Sequence, residues 1–92
     1  TNIYLSLYGP AGNYDVEKCF TFTNSQCISG WTKKVTNQYY VGHGGLAIDT
    51  WSPTETEAVY RINKLVDGKI VATSKNILID RNFSGTKTFT GV

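Results

Sequence analysis

Histidine is nearly missing from this sequence: His43 is the only one in 92 residues, and methionine is absent altogether. With one imidazole and two cysteines, the chain falls short of the three or four ligands that a zinc site requires. Hydrolytic catalysis by a nucleophile needs a base and an orienting group beside it. His43 is the only imidazole base on offer, and no G-x-S-x-G elbow or comparable nucleophile motif occurs. Paired carboxylates also serve glycoside chemistry, but the seven acidic residues are scattered and so short a chain has little cleft to hold a distorted sugar. The expectation is a protein that is not an enzyme and holds no metal or cofactor.

Charge is scarce as well. Charged residues make up 17% of the chain, below the usual quarter or so. Nine basic residues against seven acidic ones leave a net charge of +2, and the longest basic run is the pair Lys33-Lys34. A nucleic-acid binder or a ligand of anionic membranes clusters its cations, so neither partner is expected. Long hydrophobic runs are absent too. Nothing approaches the ~20 apolar residues that span a bilayer, and membrane insertion is not expected. No charged n-region with an apolar stretch precedes the first strand. The start at Thr1 reads as a mature secreted chain whose leader was removed, or as a trimmed one.

What the sequence does have is bulk. Hydrophobic residues reach 40%, with six Tyr, four Phe and two Trp, a folded composition. At this length one modest core is possible and a second is not, so residues 1–92 are read as a single domain. Cys19 and Cys27, in "CFTFTNSQC", sit too far apart for a C-x-x-C redox pair and lack the further ligands of a metal site. A local disulfide follows, in keeping with secretion; the alternative is two buried free thiols. An antibody-type domain is excluded, because its two cysteines lie far apart on opposing sheets.

The hydrophobic period is two nearly everywhere. "IYLSLY" sets Ile3, Leu5 and Leu7 on one face, with Tyr4, Ser6 and Tyr8 on the other. "GPAGN" turns the chain, and "CFTFT" resumes the alternation. In residues 31–41 the set Trp31, Lys33, Val35, Asn37, Tyr39 and Val41 is the more apolar and is expected to face the core. "LAIDTW" points Leu46 and Ile48 inward and Ala47, Asp49 and Trp51 outward. "SPTETEA" reads as a loop with at most one helical turn. Asp67-Gly68 between two β-branched runs is the favoured two-residue hairpin turn, pairing Val66 with Lys69, Leu65 with Ile70 and Ile62 with Thr73. "ILID" and "TKTFT" close the chain. Seven or eight short strands without a helical segment predict an all-β fold, a small antiparallel β-sandwich or Greek-key barrel.

His43 stands in "VGHGGL", and the glycines explain it. Gly42 to Gly45 is read as a tight reversal between two strands. Val41 then faces Leu46, Tyr39 faces Ile48 and Asn37 faces Thr50 on the inner side. Outside, Tyr40 pairs with Ala47, Gln38 with Asp49, and Thr36 with Trp51. Gln38, Tyr40, Asp49 and Trp51 would share one solvent-facing patch with His43 at its rim. An aromatic plane beside carboxylate and amide groups is how sugar rings are held. The bland reading leaves Trp51 folded over the sheet edge and Tyr40 as an ordinary strand-favouring residue.

The leading expectation is a secreted, non-enzymatic domain recognising carbohydrate, a cell-wall or cell-surface glycan, through that face. The alternative is a small secreted toxin, antimicrobial or host-directed effector acting on a protein or membrane target. A proteinase inhibitor presenting "GHGG" or "SPTETE" is more remote, since such loops are usually braced on both sides. Asn82-Phe83-Ser84 fits the N-glycosylation acceptor pattern, making Asn82 a candidate glycan site.

Overall fold

The computed structural model describes residues 2–41, 44–83 and 85–92, and no helix occurs among them. The strands are β1 (Asn2–Leu7), β2 (Gly12–Cys19), β3 (Phe22–Thr23), β4 (Gln26–Cys27), β5 (Trp31–Tyr40), β6 (Gly44–Thr50), β7 (Glu57–Val66), β8 (Lys69–Thr73), β9 (Ile77–Asp80) and β10 (Thr88–Phe89). One sheet has the order β10-β1-β6 and the other the order β5-β2-β7-β8, with β9 also on β7. β3 and β4 form a small separate hairpin. Among the described residues only β1 and β10 pair in parallel; the other pairings are antiparallel. The all-β sandwich expected from the alternation is the fold.

The first strand behaves as its pattern requires. Ile3, Leu5 and Leu7 are fully buried, and Tyr4 is exposed between them. They meet Val16, Tyr60, Ile62 and Phe89 in a single core that also takes in Ile48 and Trp51. The two-residue turn is present, with φ of 53° at Asp67 and 75° at Gly68. Val66 faces Lys69 and Leu65 faces Ile70 as expected. Beyond that a register shift sets Thr73 against Asn63, not Ile62. β8 and β9 share one edge of β7. Between them Ser74 takes over: its N–H donates to the Ile62 carbonyl and its hydroxyl accepts from the Ile62 N–H, both at 2.9 Å. The disulfide forms between Cys19 and Cys27, with Cα atoms 5.8 Å apart.

One expectation is corrected. "CFTFT" is not one strand: β2 ends at Cys19 and Phe20 is exposed. β2 itself is the strand between β5 and β7, where the sequence shows Asp15, Glu17 and Lys18 within four residues. All three are buried. Charged residues are depleted from strand interiors, so the segment does not read as a central strand. Its charges are tolerated because each finds a partner. Glu17 accepts from Arg61 Nε and from Asn63 Nδ2, each at 2.7 Å. Asp15 accepts the Asn37 backbone N–H at 2.7 Å and pairs with Lys33 at 3.3 Å.

Candidate functional site

The expected glycine reversal does not bring β5 and β6 together. β5 lies at the edge of one sheet, paired to β2, while β6 pairs with β1 in the other. The pairs Tyr39–Ile48 and Gln38–Asp49 therefore do not form. His43 itself lies outside the described residues.

The outward face inferred for Trp51 and Asp49 is overturned as well. Trp51 is only 7% exposed and belongs to the core. Asp49 turns into the sandwich, where it meets the buried Tyr60. A register shift between Ile3 and Tyr4 in the β1–β6 ladder is the cause, because one extra residue inverts every later side chain. β5 shows the same effect. Shifts on either side of Val16, with a left-handed Asn37 (φ 51°), break its alternation. Lys33 pairs out to Asp15 and Val35 packs on the core. Tyr40 also packs on the core, its ring 5.9 Å from that of Tyr14, whereas Tyr39 and Val41 are exposed. Gln38 is exposed opposite Tyr14. The four residues do not share one patch.

Two other groupings take its place. The first lies where β2 and β6 face each other. Lys18 is 4% exposed and pairs with Glu55 and, at 3.6 Å, with Asp49 Oδ2. Its ammonium lies 5.6 Å from the Phe20 ring centre and 5.8 Å from that of Tyr60. The Tyr60 hydroxyl donates to Asp49 Oδ2 at 3.2 Å, and Lys34 stands 3.7 Å from the same oxygen. Burial works to raise the Asp49 carboxyl, but the Thr50 N–H, Lys34, Lys18 and the Tyr60 hydroxyl together hold it below the usual value. Tyr60 goes the other way: burial first, then the charge of Asp49, pushes its hydroxyl far above the ordinary phenol value.

The second grouping is a cleft of about 150 Å³, with Trp51 among its lining residues. Asn2 and Tyr4 come from β1, Asp80 from the end of β9, and Arg81 and Phe83 from the turn that follows. Tyr4 and Phe83 are 56% and 45% exposed. Arg81 Nη1 donates to the carbonyls of Ser52 at 2.8 Å and Glu55 at 3.1 Å, and its guanidinium lies 6.0 Å from the Trp51 ring centre. Loop 51–56 is thereby pinned to the cleft wall. Asp80 Oδ1 caps the turn by accepting the Asn82 N–H at 2.8 Å. Asn2 Nδ2 donates to the Tyr4 hydroxyl at 3.1 Å.

The sequence singled out Trp51 and Asp49 for an outward face that neither occupies. Tyr4 carried a signal, as the outward aromatic of a clean alternating strand. Lys18 carried none, because its carboxylate partners come from segments remote in sequence. Two larger hollows are of about 500 Å³, beside Tyr8, Pro10 and Val92, and of about 460 Å³, beside Asn76 and Lys87. Neither joins exposed aromatic rings to a carboxylate. Asn82 is exposed at a turn, and Ser84 of its acceptor pattern lies outside the described residues. Among the described residues, no group of three or more His, Cys, Asp or Glu is placed to hold a metal ion. No protein-family model, curated protein or solved structure matches this chain.

Proposed function

We propose that this chain is an extracellular, non-enzymatic domain that binds carbohydrate of the cell-wall or cell-surface kind, at the cleft beside Trp51. The observation that carries the reading is the setting of Tyr4 and Phe83: two exposed rings at a cleft of about 150 Å³ that also presents Asn2 and Asp80. Aromatic faces cover the C–H surface of a pyranose, while carboxylate and amide groups take its hydroxyls. Arg81, held by backbone carbonyls, supports the wall of the site. The disulfide supports an extracellular location, since such bonds persist in oxidising compartments. Asn82 lies in sequence between Arg81 and Phe83, both of which line the cleft.

A glycan array and polysaccharide pull-down with the wild-type protein test this directly. Tyr4→Ala and Phe83→Ala remove exposed rings and are expected to weaken retention about tenfold or more, equivalent to about 1.4 kcal/mol, with the fold unchanged by circular dichroism. If both folded variants bind as the wild type does, the cleft is not the site. Growth inhibition of fungal, bacterial or plant cells without any glycan dependence would instead favour the effector or toxin reading.

A further inference from the structure

A lysine as fully buried as Lys18 is rare, and its setting resembles a reaction site more than a plain ion pair. We propose that Lys18 and Asp49 condense into an intramolecular isopeptide bond, with Glu55 as the proton carrier. Lys18 extends from β2 and Asp49 from β6, so the bond would join the two sheets of the sandwich. The Cys19–Cys27 disulfide closes only a local loop.

The parts are in place. Lys18 Nζ lies 3.6 Å from Asp49 Oδ2 and in direct contact with the Glu55 carboxylate. Two aromatic rings, Phe20 and Tyr60, flank the amine, and little water reaches it. Asp49 Oδ1 accepts the Thr50 N–H at 2.8 Å, a donor suited to charge that develops on that oxygen. Asp49 Oδ2 accepts the Tyr60 hydroxyl at 3.2 Å.

In the condensation, Glu55 takes one proton from the Lys18 ammonium and passes it to Asp49 Oδ2, so a neutral amine faces a neutral carboxyl. Nζ attacks Cγ, and negative charge builds on Oδ1 opposite the Thr50 N–H. A second proton travels from the nitrogen through Glu55 to Oδ2. The Cγ–Oδ2 bond breaks, one water leaves, and Glu55 ends as the carboxylate it began as. One C–N bond replaces one C–O bond, with nothing oxidised or reduced. Lys34, 3.7 Å from Asp49, favours the ionised carboxylate and slows the first step. The fixed approach works against that brake: well-oriented intramolecular partners reach effective molarities of roughly 10⁵ M or more, and exclusion of water strengthens each electrostatic contact.

The test is the intact mass of the purified full chain, denatured and reduced, after incubation at neutral pH. The expected result is a mass lower by one water than the sequence requires, and a proteolytic fragment joining the Lys18 and Asp49 peptides. Lys18→Arg and Glu55→Gln should both run at the full mass. A wild-type protein at full mass overturns the proposal, and this outcome does not depend on whether any variant folds. A water loss that maps to a cyclised Asp49-Thr50 step, or that persists in Lys18→Arg, overturns it too.

Discussion

The guanidinium of Arg61 lies 4.2 Å from the centre of the Trp31 ring, on the β5-β2-β7 sheet. Its Nε also donates to Glu17 at 2.7 Å. The stack thus closes over a carboxylate in the middle strand. Beneath it Glu17 accepts from Asn63 Nδ2, and Asn63 Oδ1 accepts from the Thr73 hydroxyl at 2.8 Å. Asn63 is 1% exposed, so water cannot substitute for a lost partner.

Glu17→Ala therefore leaves the Asn63 amide buried with an unmade bond. The expected loss is about 2–3 kcal/mol, toward the lower end because Arg61 is partly exposed and can rehydrate. Urea denaturation of Glu17→Ala reads the loss directly. A change below about 0.5 kcal/mol, the range of ordinary surface substitutions, would mean the network contributes nothing.

Trp51 and Tyr4 separate packing from recognition. Trp51→Ala empties a core position and is expected to lower stability by about 3–5 kcal/mol. Tyr4→Ala, at an exposed ring, is expected to stay within about 0.5 kcal/mol. Thermal unfolding of the two variants in parallel gives the contrast; similar losses would contradict the burial of the indole.

Tyr60 makes alkaline stability pH-dependent. Burial, reinforced by Asp49, raises its hydroxyl far above the value it has when unfolded. Below about pH 10, the unfolded phenol value, both states keep the proton and the contribution is fully present. Above it the unfolded chain loses the proton first, binds fewer protons than the folded one, and stability falls as pH rises. Tyr60→Phe should flatten that decline in denaturation experiments from pH 9 to 12. Unchanged slopes in the two proteins would rule out Tyr60 as its source.

The hairpin turn offers a test of backbone strain alone. A Cβ at Gly68 would meet nothing within 4 Å, yet φ there is 75°. Gly68→Ala is expected to cost about 1 kcal/mol from conformation rather than collision. Gly45 has equal space without a left-handed φ, so Gly45→Ala should fall within about 0.5 kcal/mol of wild type. Equilibrium unfolding in urea that ranks the two the other way would refute the account.

Local chemistry was legible from the residue order. The Ile3-Leu5-Leu7 row announces a half-buried strand, Asp67-Gly68 a two-residue hairpin turn, and the Cys19–Cys27 spacing a local bridge, because each depends on neighbours within a few positions. These determine the all-β class. The tertiary structure alone decided that β5 and β6 belong to different sheets. Alternation of side chains identifies two faces of a strand but not the strand that pairs with it. It also decided which way Asp49, Trp51 and Tyr40 point, since single-residue register shifts invert the faces beyond them. And it decided that Asp15, Glu17 and Lys18 form a central strand. Buried charge is tolerable only once its partners arrive, and Arg61, Asn63, Asp49 and Glu55 come from segments that folding alone brings near.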